Sequence, residues 1–542
     1  MVELEFREKT KVLIDSLKSI CATNGLGNSS GEFEIITQVF LYKFLNDKFA
    51  YEAKKIDEKI VKAKKWEEAI AEMSEEELGM LHLQIGGNTA CLNPKHFISH
   101  LFNQQDKPDF AALFDDTLMD IAITNNEVFA VKTDTGEKVQ LFTRISENVT
   151  VSKRDAFCKA IINKLIEFSF ERIFNQKFDF YATIFEYLIK DYNSNSGGKY
   201  AEYYTPHAVA RIMAAILVPK DQQVRNVSCY DPSAGSGTLL MNVAHAIGEN
   251  RCSIYTQDIS KKSSNLLRLN LILNNLVHSI PNVIEGDTLR HPHHKENGDL
   301  RKFDYIVSNP PFKLDFSDIR EELDSKENKD RFFAGIPKIK AKAKDKMEIY
   351  QLFLQHIIYS LKPGGKAAVV LPTGFITAQS GIDKKIRQYL VDNKMLAGVV
   401  SMPSNIFATT GTNVSILFID DSNKDKVILV DASNLGKKVK EGKNQKTLLS
   451  QEEEQQIIDV FNSKWTEEDL SVAVSYADIT EKNYSLSAGQ YFEVKIEYVD
   501  ITAEQFAEKM QSFTSNLDNL FSLSSELETE IRKQLSELKY ED

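Results

Sequence analysis

Val227-Ser-Cys-Tyr-Asp-Pro-Ser-Ala-Gly-Ser-Gly-Thr-Leu-Leu240 is the stretch from which the fold can be read. A short apolar strand runs into a turn carrying Gly235 and Gly237, and the turn opens an apolar helix. Glycines at a strand-to-helix turn let backbone approach a ligand closely, as in nucleotide-binding α/β folds. Working outward, apolar strands are expected at 227–231, 252–257, 304–308, 366–371 and 414–419. Helical patterns lie between most of them, at 206–218, 260–275, 347–361 and 380–392. Strand–helix alternation of this kind predicts an α/β fold, an open sheet with helices on both faces.

The flanks read differently. Residues 1–150 are mostly helical in pattern, with Phe33-Glu-Ile-Ile-Thr-Gln-Val-Phe-Leu-Tyr-Lys-Phe-Leu45 as a strongly apolar helix. The Lys- and Glu-rich stretch 51–78 reads as a solvated helix face. A second helical run covers 153–190 and gives way to a loop at Asp191-Tyr-Asn-Ser-Asn-Ser-Gly-Gly-Lys199. Beyond about 425 the sheet signal fades into a basic loop, Lys437–Lys446, and then into helices. The last segment has heptad spacing: Phe506, Phe513, Leu520 and Leu527 at one position, Met510, Leu517, Ile531 and Leu538 at the other. Ser524 and Gln534 interrupt it. That predicts a long amphipathic or coiled-coil helix.

Composition bounds the function. The 542 residues exceed what one hydrophobic core serves, so at least two domains are expected. Apolar residues at 42%, charged at 27% and a mean hydropathy of −0.31 describe a globular chain with no membrane span. The charged N-terminus is no signal peptide. Cys21, Cys91, Cys158, Cys229 and Cys252 lie far apart without a CxxC, as suits reduced thiols in a cytoplasm, and neither a disulfide framework nor a metal site is expected. The net charge of −12 disfavours a self-sufficient nucleic-acid binder. Any DNA role then rests on local basic patches or on a partner that brings positive charge.

Three acids sit at expected strand ends: Asp231, Asp258 and Asp287. A carboxylate one βα unit after a Gly-rich turn is placed to accept hydrogen bonds from ribose hydroxyls. The spacing is not G-x-G-x-x-G and no P-loop lysine follows, so the ligand reads as a nucleoside without phosphates, and S-adenosylmethionine fits. Asp287 could reach its adenine amino group. Ser308-Asn309-Pro310-Pro311-Phe312 follows the strand Phe303-Asp-Tyr-Ile-Val. Two prolines fix a rigid extended turn, leaving the Asn309 amide oxygen and the Pro310 carbonyl as acceptors held toward one point. A planar exocyclic amine is a poor nucleophile because its lone pair is delocalised into the ring. Two acceptors on its N–H groups favour the pyramidal amine and stabilise the positive charge that develops as a methyl transfers, which is electrostatic preorganisation. Phe312 offers a face for stacking an extruded base.

With Asp231-Pro-x-x-Gly-x-Gly followed by Asn309-Pro-Pro-Phe312, the chain resembles the amino-group DNA methyltransferases of adenine-N6 type, and more closely the modification (M) subunits of type I restriction–modification systems. Tyr203-Tyr-Thr-Pro-His207, Arg331-Phe-Phe-Ala-Gly-Ile-Pro337, Leu361–Pro372, Pro403–Asn413, Val430-Asp-Ala-Ser433 and Tyr484-Ser-Leu-Ser487 extend the likeness, which runs from about 160 to 495. Asp258 stands where the family often has Glu, and Ala408 where an aromatic is expected.

The resemblance implies a Rossmann-like S-adenosylmethionine-dependent methyltransferase domain over 151–485. It implies a helical N-terminal domain, 1–150, for DNA clamping or partner contact, and a helical tail, 486–542, for partner contact. Asn309, Pro310, Pro311 and Phe312 would be catalytic. Tyr203, Tyr204, Thr205, Pro206, Asp231, Ser233, Gly235, Ser236, Gly237, Thr238, Asp258 and Asp287 would form the cofactor pocket. The implied partners are double-stranded DNA, a specificity (S) subunit flanked by two M subunits, and a restriction (R) subunit that would carry any cleavage. The basic run Lys338–Lys346 reads either as a phosphate contact or as a solvated loop. Other readings are a stand-alone adenine methyltransferase of another defence locus, an RNA or protein methyltransferase, and an idle scaffold.

Overall fold

The computed structural model describes residues 2–27, 29–171, 174, 205–220, 224–407, 413–441, 444–492 and 502–537. The strands in chain order are β1 Val131–Thr133, β2 Lys138–Val139, β3 Val227–Asp231, β4 Cys252–Asp258, β5 Val283–Glu285, β6 Lys295–Glu296, β7 Asp299–Leu300 and β8 Phe303–Ser308. They continue with β9 Leu361–Pro372, β10 Leu396–Ser401, β11 Val414–Asp420, β12 Val427–Asp431, β13 Lys437–Glu441, β14 Asn444–Leu448 and β15 Ser471–Val474. Eleven of them form one sheet in the order β15-β12-β10-β11-β9-β8-β3-β4-β5-β1-β2.

Strands β9, β8, β3, β4, β5 and β1 pair in parallel and are the α/β heart of the sheet. From β3 the chain continues to β4 on one side and later returns to β8 on the other. That reversal is a topological switch point, where open sheets leave a crevice outside their strand ends. Asp231 ends β3 and Asn309 follows β8 directly, so the two motifs of the sequence meet there.

Helices cover both faces. Cys229 of β3 is fully buried in the large core that also holds helices His207–Leu217 and Thr238–Ile247. Tyr230 points to the opposite face, where its ring stacks on Phe303 at 4.2 Å and its hydroxyl meets His356 Nε2 at 3.1 Å. His356 belongs to the helix Tyr350–Tyr359. All five cysteines are free thiols, and Cys229 and Cys252 are buried neighbours, as expected of core residues.

Residues 1–491 form one compact unit and 492–542 a second. The apolar helix predicted at Phe33–Leu45 lies within Ser30–Ile56, capped by the Ser29 hydroxyl accepting from Glu32 N–H. The reading of 1–150 as helical holds for most of its length but misses β1 and β2, which extend the main sheet beside β5. Three and two residues of mixed polarity carry no period that marks a strand. The buried Arg268 of helix Lys261–Leu273 ties this edge down, donating to the carbonyls of Phe129 and Val139.

The region beyond 425 corrects the sequence reading. Strand pairing continues through β12 and β15, and the supposed basic loop is the antiparallel hairpin β13–β14. Lysines on that two-stranded ribbon hide the apolar alternation by which strands are recognised. Strand β10, absent from the expected set, contains Gly398, a residue depleted in strands. Gly398 is required because a Cβ there would lie 2.3 Å from the Ile428 carbonyl oxygen and 2.7 Å from Phe461. Gly398→Ala should therefore lower stability by about 1–3 kcal/mol, the usual cost of overpacking, read as a drop in the melting temperature of the purified chain.

The loop reading of 191–199 and the end of the 153–190 helical run lie outside the described residues. Arg154–Ile166 is the described helical part of that run. No described helix is long and apolar enough to cross a membrane.

Candidate active site

The turn after β3 is built from glycine geometry and carboxylate anchors. Gly235 and Gly237 adopt φ of +54° and +85°, in the left-handed region that L side chains avoid. A Cβ on Gly237 would stand 2.2 Å from Leu267 Cδ1, so the turn presses against the next helix with no room to spare. Asp258, at the end of β4, spans the turn from the side. Its Oδ2 accepts from Gly235 N–H at 2.9 Å and its Oδ1 from Ser260 N–H at 2.8 Å. One carboxylate thus holds the cofactor-type loop and the N-terminus of the following helix, which Ser260 caps.

Asp231 lies deeper, only 1% exposed. It accepts from Ser233 N–H at 2.9 Å, and the side chains of Ser308 and Ser233 are hydrogen-bonded to it as well. Burial pushes its carboxyl up to about 7, against the opposing hydrogen bonds from Ser233 and Ser308, and the charge of Asp258 adds to the rise. An unfolded Asp titrates near 3.9, so between roughly pH 4 and 7 the folded chain holds a proton that the unfolded chain has released. Stability from this group is then greatest at low pH and falls as pH rises through that window. Asp231→Asn removes the titration. Its melting temperature relative to the wild-type chain should climb steadily from about pH 4 to about pH 7, and a flat difference would contradict the protonated acid.

The third acid, Asp287, accepts from the backbone N–H groups of Leu289 and Arg290 and so closes its own turn. Thr288 Oγ1 donates to the Pro232 carbonyl at 2.6 Å and stitches that turn to the β3 turn. In the strand register Asp231 pairs with Thr256, and Asp258 with Glu285. The three acids therefore fall at the same end of neighbouring strands. Such a rim suits a ligand offering hydroxyls and positive charge and repels phosphate, so these residues fit S-adenosylmethionine.

Asn309 begins the turn after β8. Ser308, fully buried, joins the cofactor-type loop through a 2.7 Å bond between its hydroxyl and that of Ser233. The Asn309 amide nitrogen donates to Thr205 Oγ1 at 3.2 Å. Pro310 is buried and Pro311 exposed. Phe312 is half-buried and meets Tyr350 edge-on, with ring centroids 6.3 Å apart. Tyr350 is fixed in turn by its hydroxyl on the Asp383 carboxylate at 2.9 Å. Phe312 is thus the outermost ring of a braced aromatic pair and not the middle of a core.

A model of the family described as N-6 DNA Methylase matches residues 176–499, more than half of the chain. The chain belongs to that family. The type I restriction enzyme MpnII methylase subunit of Mycoplasma pneumoniae is 29% identical over 400 residues, covering 72% of this methylase and 70% of that protein. The MjaIX methylase subunit of Methanocaldococcus jannaschii is 26% identical over 403 residues, covering 70% and 67%. In fold, the methylase is similar to the crystal structure of a type I restriction–modification methyltransferase subunit from Streptococcus thermophilus. The TM-score is 0.71 at 20% identity, over 91% of this chain and 100% of that one.

At the switch point the fold brings together Thr205, Asp231, Ser233, Gly235, Asp258 and Asn309, six residues expected from sequence. Ser236 and Thr238 are buried at the start of the helix that the turn opens, and Pro206 stands just before His207–Leu217. Tyr203, Tyr204 and Ala408 lie outside the described residues. The sequence reading missed Ser308, Tyr350 and Asp383. Ser308 adjoins Asn309 and could have been suspected from its position. Tyr350 stands far along the chain and meets Phe312 only through folding, and Asp383 joins through the Tyr350 hydroxyl.

Proposed function

We propose that this methylase transfers a methyl group from S-adenosylmethionine to N6 of adenine in double-stranded DNA, as the modification subunit of a type I restriction–modification complex. The observation that carries the reading is the Ser233–Ser308 bond, which sets a rigid Asn-Pro-Pro-Phe turn beside a Gly-rich, acid-rimmed loop at one sheet switch point. When bound, the cofactor supplies an electrophilic methyl group on a positively charged sulfur. Asp258 would receive the ribose hydroxyls, Asp231 and the Ser233–Thr238 turn would hold the rest, and Tyr203–Pro206 would flank them. Asn309 Oδ1 and the Pro310 carbonyl take the two amine N–H groups and draw the nitrogen lone pair out of the ring. Pro311 keeps that turn rigid, and Phe312 stacks the flipped base. The proton leaves after transfer, so no strong base is required.

An acidic methylase needs a partner to read sequence. The proposed assembly has two copies of the chain on one specificity subunit in the cytoplasm, with a restriction subunit for cleavage. The N-terminal helices (1–150) and the tail (486–542) serve as clamp and partner contacts around the methyltransferase region (151–485). In the tail helix Ala503–Glu537, Phe506, Phe513, Leu520 and Leu527 are each more than half exposed, as a partner-facing stripe requires. Lys338, Lys340 and Lys342 are exposed and would serve as phosphate contacts.

The test is nucleoside mass spectrometry on host DNA after expression of the chain alone and with its genomic neighbours. N6-methyladenine that appears only with a neighbour supports the subunit reading. Signal from the chain alone points to a stand-alone enzyme, and no signal in either arm rejects DNA as substrate.

A further inference from the structure

Resting on that reading, we infer that Thr205 is a positioning residue that orients the Asn309 amide for methyl transfer. An asparagine amide presents two unlike edges, a carbonyl that accepts and an NH₂ that donates. Only the carbonyl edge can grip an amine N–H, and the opposite orientation would set donors against donors. In the structure one amide N–H is committed to Thr205 Oγ1 at 3.2 Å. Among the described residues nothing is hydrogen-bonded to Oδ1, which stays available to the reacting amine.

The local sequence makes this contact rigid. Thr205 precedes Pro206, and Asn309 precedes Pro310. A following proline drives both residues out of the helical region into extended backbone. Thr205 is β-branched, which restricts its χ1, and only 7% exposed, so its hydroxyl has little freedom to leave. Pro206 in turn opens the helix His207–Leu217, which is packed in the core beside Thr238–Ile247. The catalytic amide is thereby referenced to the helical layer as well as to its own strand. Although Thr205 was expected in the cofactor pocket, its hydroxyl is engaged with the catalytic Asn309.

The experiment compares Thr205→Val, which keeps the shape without the hydroxyl, with Thr205→Ser, which keeps the hydroxyl. Both are assayed in the complete methylating complex. Single-turnover methyl transfer is measured at saturating DNA and S-adenosylmethionine, with the cofactor Kd taken separately by calorimetry. Losing one orienting hydrogen bond should slow T205V about 10- to 30-fold, with the cofactor Kd unchanged and T205S close to wild type. A wild-type rate in T205V overturns the inference, as does a T205S enzyme as slow as T205V. A loss confined to the cofactor Kd overturns it too, by making Thr205 a cofactor contact. Should T205V not fold, Thr205→Ala replaces it, and failure of both where T205S folds would assign the hydroxyl to stability instead. A wild-type complex that transfers no methyl group rejects the proposed function and is recognised without reference to Thr205.

Discussion

Replacing Asn309 by Ala should lower kcat for adenine methylation by about 10²–10³-fold, the cost of removing one preorganised partner of a developing charge. Truncation deletes the acceptor Oδ1 and leaves the Pro310 carbonyl to hold the amine alone. The remaining single contact neither pyramidalises the nitrogen nor offsets its charge as the C–N bond forms. Binding of S-adenosylmethionine should be unchanged, because no hydrogen bond links Asn309 to Asp231, Gly235 or Asp258 directly. The coupling between the two loops runs through Ser308 and Ser233 instead, and both survive the substitution. Melting temperature should also hold, since Asn309 is only half-buried and its described partner is one hydroxyl. Calorimetry with cofactor and mass spectrometry of digested DNA read the two quantities separately. Retained methylation would remove Asn309 from the chemistry, and lost cofactor binding would make it part of the pocket.

How much of this site was legible beforehand follows from what kind of information each part carries. The Gly235–Gly237 turn and the Asn309–Phe312 turn are local devices: their residue types answer to backbone conformation and rigidity, so they show in a single sequence. Asp258 was legible because the strand ending in it is short and apolar, and the βα spacing places its end. The bracing of Phe312 by Tyr350 and Asp383 was not legible, because those contacts span 33 and more residues of chain and depend on how two helices pack against the turn. The same distinction governs the fold. Strands β3, β4, β8, β9 and β11 are buried apolar runs and were anticipated, β3 to the residue and β4, β8 and β11 to within one residue at one end. The largest boundary error is β9, expected from 366 but beginning at Leu361, so that it includes Pro363, Gly364 and Gly365. Its pairing with β8 shifts register between Phe303 and Tyr305, the irregularity that accommodates those residues. Strands β1, β10 and β13 escaped for separate reasons: brevity, a packing glycine and a charged surface.

Asp258→Ala should raise the Kd for S-adenosylmethionine by about 100-fold or more. Hydrogen bonds to a charged acceptor contribute about 1.5–3 kcal/mol each, and tenfold in Kd corresponds to about 1.4 kcal/mol, so loss of the two proposed ribose contacts alone reaches that range. The structure adds a second cost, because the same carboxylate holds Gly235 N–H and Ser260 N–H. Without it the Gly-rich turn loses its lateral anchor, and both ordering of the turn and contact with the ribose must be supplied on binding. Asp258→Asn separates the two effects. Its amide oxygen can still accept one backbone N–H but presents no charge to the hydroxyls, so its Kd should fall between wild type and Asp258→Ala. Burial pushes the Asp258 carboxyl upward from the usual carboxylate range, which means that its charged form is favoured as pH rises. Cofactor affinity of the wild-type chain should therefore weaken as pH falls toward the acid range, while the affinity of Asp258→Asn stays flatter. Calorimetric titrations of the three proteins at several pH values test this, and equal pH profiles would show that the ribose is held elsewhere.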